Sequence, residues 1–283
     1  VRDGDWFFEI DDSGYAQGTR VRQRLLTKQT PFQRLEILES EAFGRTLVLD
    51  DALQTTERDE FMYHEMLVHV PLMTHPAPQR VLIIGGGDGG SLRRLLQHRV
   101  PEPIQVEIDR DVIDACKAHI PAVSAGAYDD PAARVIVGDG IQYMREHPGG
   151  LDVVIVDSTD PVGPAVQLFE EPFYQDVARS LADDGLMVAQ SSSPLYMADE
   201  LRSQVHNLRS VFPIVRTYLG IVMGYPGVLW SYSIGSKRYD PLDATRESIA
   251  DRLAANSVAT RYYTPDVHHA AFALPRFIED IVS

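Results

Sequence analysis

Residues 81–90 read VLIIGGGDGG, a short apolar, β-branched run that opens directly into a glycine loop interrupted by Asp88. A strand running into glycines opens a βαβ unit in which backbone N–H groups approach a ligand closely. The same rhythm continues outward. IQVEID (104–109), RVIVGDG (134–140), DVVIVD (152–157) and GLMVAQ (185–190) read as strands. Between and after them SLRRLLQH, DVIDACKAH, FYQDVARSLA and ELRSQVHNLRSVF carry apolar residues at helical spacing. The alternation predicts an α/β fold with a parallel sheet covered on both faces. VRTYLG (215–220) and WSYSIGS (230–236) fit a closing hairpin on that sheet.

Upstream the pattern changes. FFEI, RVRQRLLT, RLEILES and RTLVLDD are punctuated by Asp, Ser and Gly, which predicts a small antiparallel β-hairpin domain over residues 1–56. Residues 57–283 then form the catalytic domain, entered through an amphipathic helix over 59–70, DEFMYHEMLVHV, that stops at Pro71.

The chain has 283 residues, 41 acidic against 26 basic side chains, a formal charge of −15 and one cysteine, Cys116. Such a charge repels nucleic acid and anionic lipid and favours cationic small molecules, although acidity for solubility alone gives the same sum. No apolar run approaches the roughly 20 residues that span a bilayer, and residues 1–30 lack a signal-peptide core. A cytoplasmic protein is expected, with neither nucleic acid nor membrane as partner. The histidines show no metal-ligand spacing with the lone cysteine, and no metal is assigned.

Ligands of open α/β sheets sit at the carboxyl ends of the strands. Here those ends carry Asp88, Glu107, Asp109, Asp139, Asp157 and Asp160. Glu107 follows Gly85 by 107 − 85 = 22 residues, the spacing at which an acid holds ribose hydroxyls. NAD-dependent oxidoreductases and S-adenosylmethionine-type transferases share that signal. Asp139 could accept from the amine of adenine with Gly140 allowing close approach, or could close an ordinary Asp-Gly turn. Asp88 weighs against a dinucleotide, because a pyrophosphate over this loop would meet a like charge at a cost of several kcal/mol. It could also cap the next helix, a role open equally to Ser91.

The run GGGDGG (85–90), TTERDEFMYHEML (55–67) and DSTDPVGPA (157–165) together closely resemble the polyamine aminopropyltransferases, from about Trp6 to YYTPDVHHAAFALP (262–275). The resemblance implies a methyltransferase-like, Rossmann-like, seven-stranded and mostly parallel sheet behind a small N-terminal antiparallel β domain, assembled as a homodimer or homotetramer. It implies transfer of the aminopropyl group of decarboxylated S-adenosylmethionine, a co-substrate rather than a prosthetic group, to a small cationic diamine. Putrescine is the default, giving spermidine and methylthioadenosine; agmatine, cadaverine, diaminopropane and spermidine are alternatives. By motif, Gln33, Glu107, Asp139, Gly140 and Pro164 hold the nucleoside, and Asp88 and Asp157 hold the amine of the aminopropyl arm. Tyr63, His64, Asp160 and Tyr225 line the acceptor channel, with Gln54 and Trp6 near it. Asp157 is the expected proton acceptor, its pKa raised by Asp88 and Asp160, and Tyr63 orients the attacking amine. Ordinary S-adenosylmethionine would bring a carboxylate against Asp88 and Asp157, so that pair also selects the donor.

Three positions depart from the family pattern. Phe32 stands before Gln33 in place of Tyr, and Arg94 replaces an acid; both changes are expected to affect packing. Met223-Gly224 precede Tyr225-Pro226 where Thr is usual, beside the acceptor site. Pro and Gly in residues 158–168 predict a flexible segment that closes over substrate. A methyltransferase on the same sheet and a polyamine- or nucleoside-binding protein without turnover are the competing functions.

Overall fold

Five strands form an antiparallel meander: Asp5–Ile10 (β1), Ala16–Gln29 (β2), Arg34–Ser40 (β3), Gly44–Leu49 (β4) and Ala52–Thr56 (β5), paired in that order. The computed structural model describes residues 4–10, 14–161 and 163–283, without the side chains of Gly163 and Pro164. β5 goes beyond the sequence expectation, because ALQTT has little apolar alternation. Its pairing comes from the turn before it. Asp50 and Asp51 both take positive φ, 46° and 64°, as a two-residue hairpin turn requires and as Asp tolerates better than most residues. Arg34 anchors them: its N–H donates to Asp50 Oδ1 and its guanidinium to Asp51 Oδ1, each at 2.8 Å.

The second sheet has seven strands: Arg80–Gly85 (β6), Glu102–Glu107 (β7), Arg134–Val137 (β8), Leu151–Asp157 (β9), Leu181–Gln190 (β10), Ile214–Ile221 (β11) and Leu229–Ser236 (β12). Their order is β11-β12-β10-β9-β6-β7-β8. β8, β7, β6, β9 and β10 are parallel, and β12 is antiparallel to both β10 and β11, which is the expected closing hairpin. Strand alternation splits the core in two. Val81, Ile83, Val153, Ile155, Leu186 and Val188 face one side, Leu82, Ile84, Val154, Val156, Met187 and Ala189 the other.

Helices cover both faces. In chain order they are Glu60–Thr74 (α1), Gly90–Gln97 (α2), Arg110–His119 (α3), Pro121–Ser124 (α4), Gly140–Glu146 (α5), Glu171–Ser180 (α6), Ala198–Arg209 (α7), Arg246–Asn256 (α8), Pro265–Ala270 (α9) and Arg276–Val282 (α10). Met66, Leu67, Leu92 and Leu95 of α1 and α2 close the first face; Met144, Phe173, Tyr174 and Val177 of α5 and α6 close the second.

α1 corrects the sequence expectation twice. It runs through Pro71 to Thr74, and it is buried almost all round rather than amphipathic. A mid-helix proline costs about 3 kcal/mol in a solvated helix, but burial of Met66, Leu67, Val70, Leu72 and Met73 outweighs that here. The carbonyls at its end are also satisfied: Arg252 donates to Leu72 O at 2.7 Å and to Met73 O at 3.0 Å. Among the described residues no helix is long and apolar enough to cross a membrane.

Candidate active site

β6 has β7 on one side and β9 on the other, so the strand order reverses there and a crevice opens at the carboxyl ends of β6 and β9. Gly85 and Asp157 pair across that point. Gly85 has φ +84°, and any side chain on it would overlap the Asp157 carbonyl. The Gly86 N–H donates to the same carbonyl at 2.8 Å, so the loop is tied to the carboxyl end of the strand that carries Asp157. A cavity of about 300 Å³ lies over this junction, lined by Gln33, Gln54, Tyr63, Asp88, Glu107, Asp139, Gly140, Asp157, Asp160 and Tyr225 among others. A second cavity of about 380 Å³ adjoins it and shares Asp50, Ala52 and Asp160 with it, adding Glu9, Asp51, Tyr196 and Trp230.

Glu107 ends β7 with its Oε1 accepting from the Asp109 N–H at 2.8 Å. Burial foremost, with the charges of Asp109 and Asp157, pushes its pKa up to about 7. Asp109 in turn caps α3 through Asp111 N and accepts from Thr30 Oγ1 at 2.7 Å and Gln33 Nε2 at 3.1 Å. Gln33 is thereby fixed at the cavity wall. β8 stops at Val137, short of the expected 140, which frees Asp139 to cap α5: its Oδ1 accepts from Ile141 N at 2.8 Å. Asp139 and Gly140 therefore form a turn and also line the cavity. Pro164 has its side chain outside the described residues, as does part of the segment expected to close; the rest of it enters a 3₁₀ turn, Gly163–Phe169.

The carboxylates differ in how they are held. Asp88 Oδ1 accepts from Gly90 N at 2.7 Å, so it does bond the first turn of α2, while Ser91 lies inside the helix and does not cap it. His64 Nε2 faces that same oxygen at 3.4 Å and its Nδ1 meets Glu60 Oε2 at 2.9 Å. Arg94 Nη2 follows on Glu60 Oε1 at 2.9 Å. Burial works to strip the proton from His64, but Asp88 and Glu60 hold it, and the pKa rises to about 10. Burial also opposes ionisation of Asp88, yet His64 and the Gly90 N–H bring its pKa below the usual carboxylate value. A chain of alternating charge, Asp88–His64–Glu60–Arg94, thus runs from the cavity into the core.

This corrects three expectations. His64 lies behind Asp88 and does not line the channel; Gly90 makes room for its ring, which any side chain there would overlap. Arg94 is 2% exposed and serves as a buried counter-ion to Glu60, more than a packing residue. Phe32, expected to touch packing, lines the cavity instead and is 42% exposed.

Asp157 is different again. Tyr63 donates to its Oδ1 at 2.9 Å, and its buried Oδ2 has no hydrogen-bond partner among the described residues. Burial, then the Asp88 charge, raises its pKa, against the pull of His64 and Tyr63. Asp160 accepts from Ser192 Oγ at 2.7 Å and Gln190 Nε2 at 3.3 Å, at the seam of the two cavities. Tyr225 donates to Gln54 O at 2.6 Å and packs edge-on against Tyr63, so these residues form one wall. Trp6 does not line either cavity; strand alternation turns Phe7 into the core and leaves Trp6 stacked on Phe8.

Sequence reasoning did not single out Asp59, Glu60 or Thr30. Asp59 accepts from Gly224 N at 2.6 Å and Thr56 Oγ1 at 2.5 Å, locking the Tyr225 loop to the start of α1. Its signal was adjacency to Glu60 inside TTERDEFMYHEML.

Two family descriptions match the chain: a spermidine synthase tetramerisation domain over residues 5–57 and a spermine/spermidine synthase domain over residues 60–244. The polyamine aminopropyltransferase of Desulforudis audaxviator is 48% identical over 276 residues, covering 97% of this chain and 98% of that protein. The enzyme of the same description from Caldicellulosiruptor saccharolyticus is 48% identical, covering 98% of each. Among solved structures, a spermidine synthase in complex with the transition state analogue AdoDATO superposes with a TM-score of 0.94 at 38% identity, covering 99% of this chain and 96% of that one. Spermidine synthase from Thermotoga maritima gives 0.93 at 38% identity, covering 99% and 95%.

Proposed function

Because the chain belongs to the polyamine aminopropyltransferase family, we propose that it moves the aminopropyl group of decarboxylated S-adenosylmethionine onto putrescine, giving spermidine and methylthioadenosine. The observation that carries this is the pair of carboxylates Asp88 and Asp157 on one cavity that Glu107 and Asp139 also line. A nucleoside lies across Gln33, Glu107, Asp139, Gly140 and Pro164, with ribose hydroxyls on Glu107. The donor's ammonium lies against Asp88 and Asp157, where a carboxylate would be repelled.

The free amine is the scarce reactant. An alkyl ammonium with a pKa near that of Lys, about 10.4, costs about 4 to 5 kcal/mol to deprotonate at pH 7. Asp157 takes that proton, its basicity increased by burial and by Asp88. The amine nitrogen then attacks the carbon beside the sulfonium; the C–N bond forms, the C–S bond breaks, and the bonding pair neutralises sulfur. No acid is needed for the leaving group. Tyr63, by donating to Asp157 Oδ1, fixes the orientation of the carboxylate that takes the proton. The distal ammonium of the diamine extends past Tyr225 and Gln54 toward Asp160 and the acid-lined second cavity.

On the same reading residues 1–56 form a β-hairpin domain and residues 57–283 the catalytic domain, and copies assemble as a homodimer or homotetramer. The match to a tetramerisation domain supports assembly, as do exposed Phe8 and Ile10 on edge strand β1. A cytoplasmic location fits a single buried thiol, Cys116. The test is incubation with the decarboxylated donor and, in competition, putrescine, cadaverine, agmatine and spermidine, followed by mass spectrometry. Methylthioadenosine with spermidine as main product supports the reading; methylation from S-adenosylmethionine, or no turnover, would overturn it.

A further inference from the structure

At the opposite end of the parallel sheet from the nucleoside crevice, three chain segments meet. His75 follows α1, Asp152 opens β9, and Asp184 lies in the first half of β10. One ligand atom from each lies within 4.8 Å of the other two, and His75 Nε2 is 3.9 Å from Asp184 Oδ1. Nothing in the reaction uses them.

The three side chains face one another at coordination range. His75 is 4% exposed, and neither ring nitrogen has a hydrogen-bond partner among the described residues. A buried imidazole with both nitrogens unpaired carries a desolvation cost that a bound cation would offset. Its ring is held edge-on by Tyr239 at 5.2 Å. Each carboxylate is likewise held by one oxygen. Asp152 Oδ2 accepts from the N–H groups of Gln79 and Arg80 at 2.7 and 2.9 Å, and Asp184 Oδ2 from Tyr239 Oη at 2.9 Å. The other oxygen of Asp184 turns to His75. Second partners that orient metal ligands in this way are the usual support of a metal site.

We propose that His75, Asp152 and Asp184 bind a divalent first-row transition cation, with Zn²⁺ as the probe ion, in a site separate from the catalytic cavity. One imidazole and two carboxylates suit such an ion, with water completing a four-coordinate shell. Bonds of about 2.0 to 2.2 Å place tetrahedral donors roughly 3.3 Å apart, so the side chains close by about 1 Å around the ion. The nearby cation Arg252 is committed to the carbonyls at the end of α1 and does not occupy the site. A bound ion would clasp the end of α1, which carries Tyr63, to the start of β9, which carries Asp157.

The test uses the full chain after chelator treatment and desalting. Zn²⁺ is titrated by calorimetry and Co²⁺ by its visible ligand-field absorption. One ion per chain is expected, with Co²⁺ bands of a low-coordinate N/O site and a raised Tm. Asp184→Asn and Asp152→Asn, which keep side-chain shape, each weaken binding by about tenfold or more, while the rate of aminopropyl transfer without metal is unchanged in Asp184→Asn. Absence of stoichiometric binding, or an affinity in either variant equal to that of the parent chain, overturns the proposal and assigns any uptake to surface groups. Circular dichroism of the variants separates lost binding from lost folding.

Discussion

The Tyr63 hydroxyl donates to Asp157 Oδ1 at 2.9 Å, joining helix α1 to the tip of strand β9 and leaving Oδ2 as the buried oxygen without a partner. One residue thus fixes the orientation of the Asp157 carboxylate. Asp157→Asn keeps the shape and removes the base, so turnover falls by about 10²- to 10⁴-fold with donor affinity nearly unchanged. Tyr63→Phe loosens the carboxylate and lowers kcat by roughly 10- to 100-fold. Single-turnover rates with separately measured donor binding check both; a near-normal rate in Asp157→Asn would remove it as the base.

Asp88 carries a prediction about selectivity. In Asp88→Asn the like charge that faces a carboxylated donor is gone, while the capping bond to Gly90 N survives through the amide oxygen. The preference for the decarboxylated donor over S-adenosylmethionine drops by about tenfold or more, equivalent to about 1.4 kcal/mol. Competitive binding of the two nucleosides measures it, and an unchanged ratio would assign selection elsewhere.

Arg94 and Glu60 form a buried pair at 2.9 Å. Arg94→Met removes the closest guanidinium from Glu60 and leaves it His64 at 2.9 Å and Arg93 at 3.7 Å. Destabilisation of about 3 to 5 kcal/mol is expected, read as a lower urea midpoint. A loss within about 0.5 kcal/mol, the range of an ordinary surface substitution, would mean that the pair is not structurally coupled.

Glu107 makes stability and donor binding oppose each other. Its folded pKa of about 7 lies above the ordinary carboxyl value, so the folded chain holds a proton that the unfolded chain has lost. Its contribution is therefore fully present below about pH 4.5 and is lost as pH rises toward 7. Glu107→Gln removes that loss, raising the stability of the ligand-free protein above pH 7 relative to the parent while weakening nucleoside binding. Urea midpoints at pH 5 and 8 with calorimetric donor binding test it; equal pH dependence in parent and variant would contradict the raised pKa.

Buried histidines set the acid limit. Burial foremost lowers His98 to about 3 and His268 to about 4. The unfolded chain takes up protons on them near pH 6.5 when the native one does not, so stability falls as pH drops from 6.5 toward 4. His98→Gln should remove about one proton from that slope, measured as urea midpoints across the range.

Much of this was legible along the chain. Periodicity located the seven sheet strands and the helices α1, α2, α3, α6 and α7, because burial leaves apolar runs that survive in one dimension, but not α5 or α8 to α10. β5 was not legible: its pairing comes from the Asp50-Asp51 turn and the Arg34 contacts, which are tertiary. Nor was the passage of α1 through Pro71. Local propensity ends a helix there, and only burial on every side overrides it.

By itself the sequence determined the kind of site: acids at the carboxyl ends of strands, a glycine loop, and motifs that resemble one family. Residue type and order suffice for that, because strand ends converge wherever a doubly wound sheet forms. The tertiary structure decided the state of each acid. Asp88 and Asp157 are both buried carboxylates on one cavity, yet one pKa is lowered and the other raised. The charge of His64 reaches both, but only Asp88 faces it directly and accepts from the Gly90 N–H, while Asp157 has a neutral phenol for its partner. Charge and hydrogen bonding act through space at a few ångströms, and that distance exists only once the chain has folded.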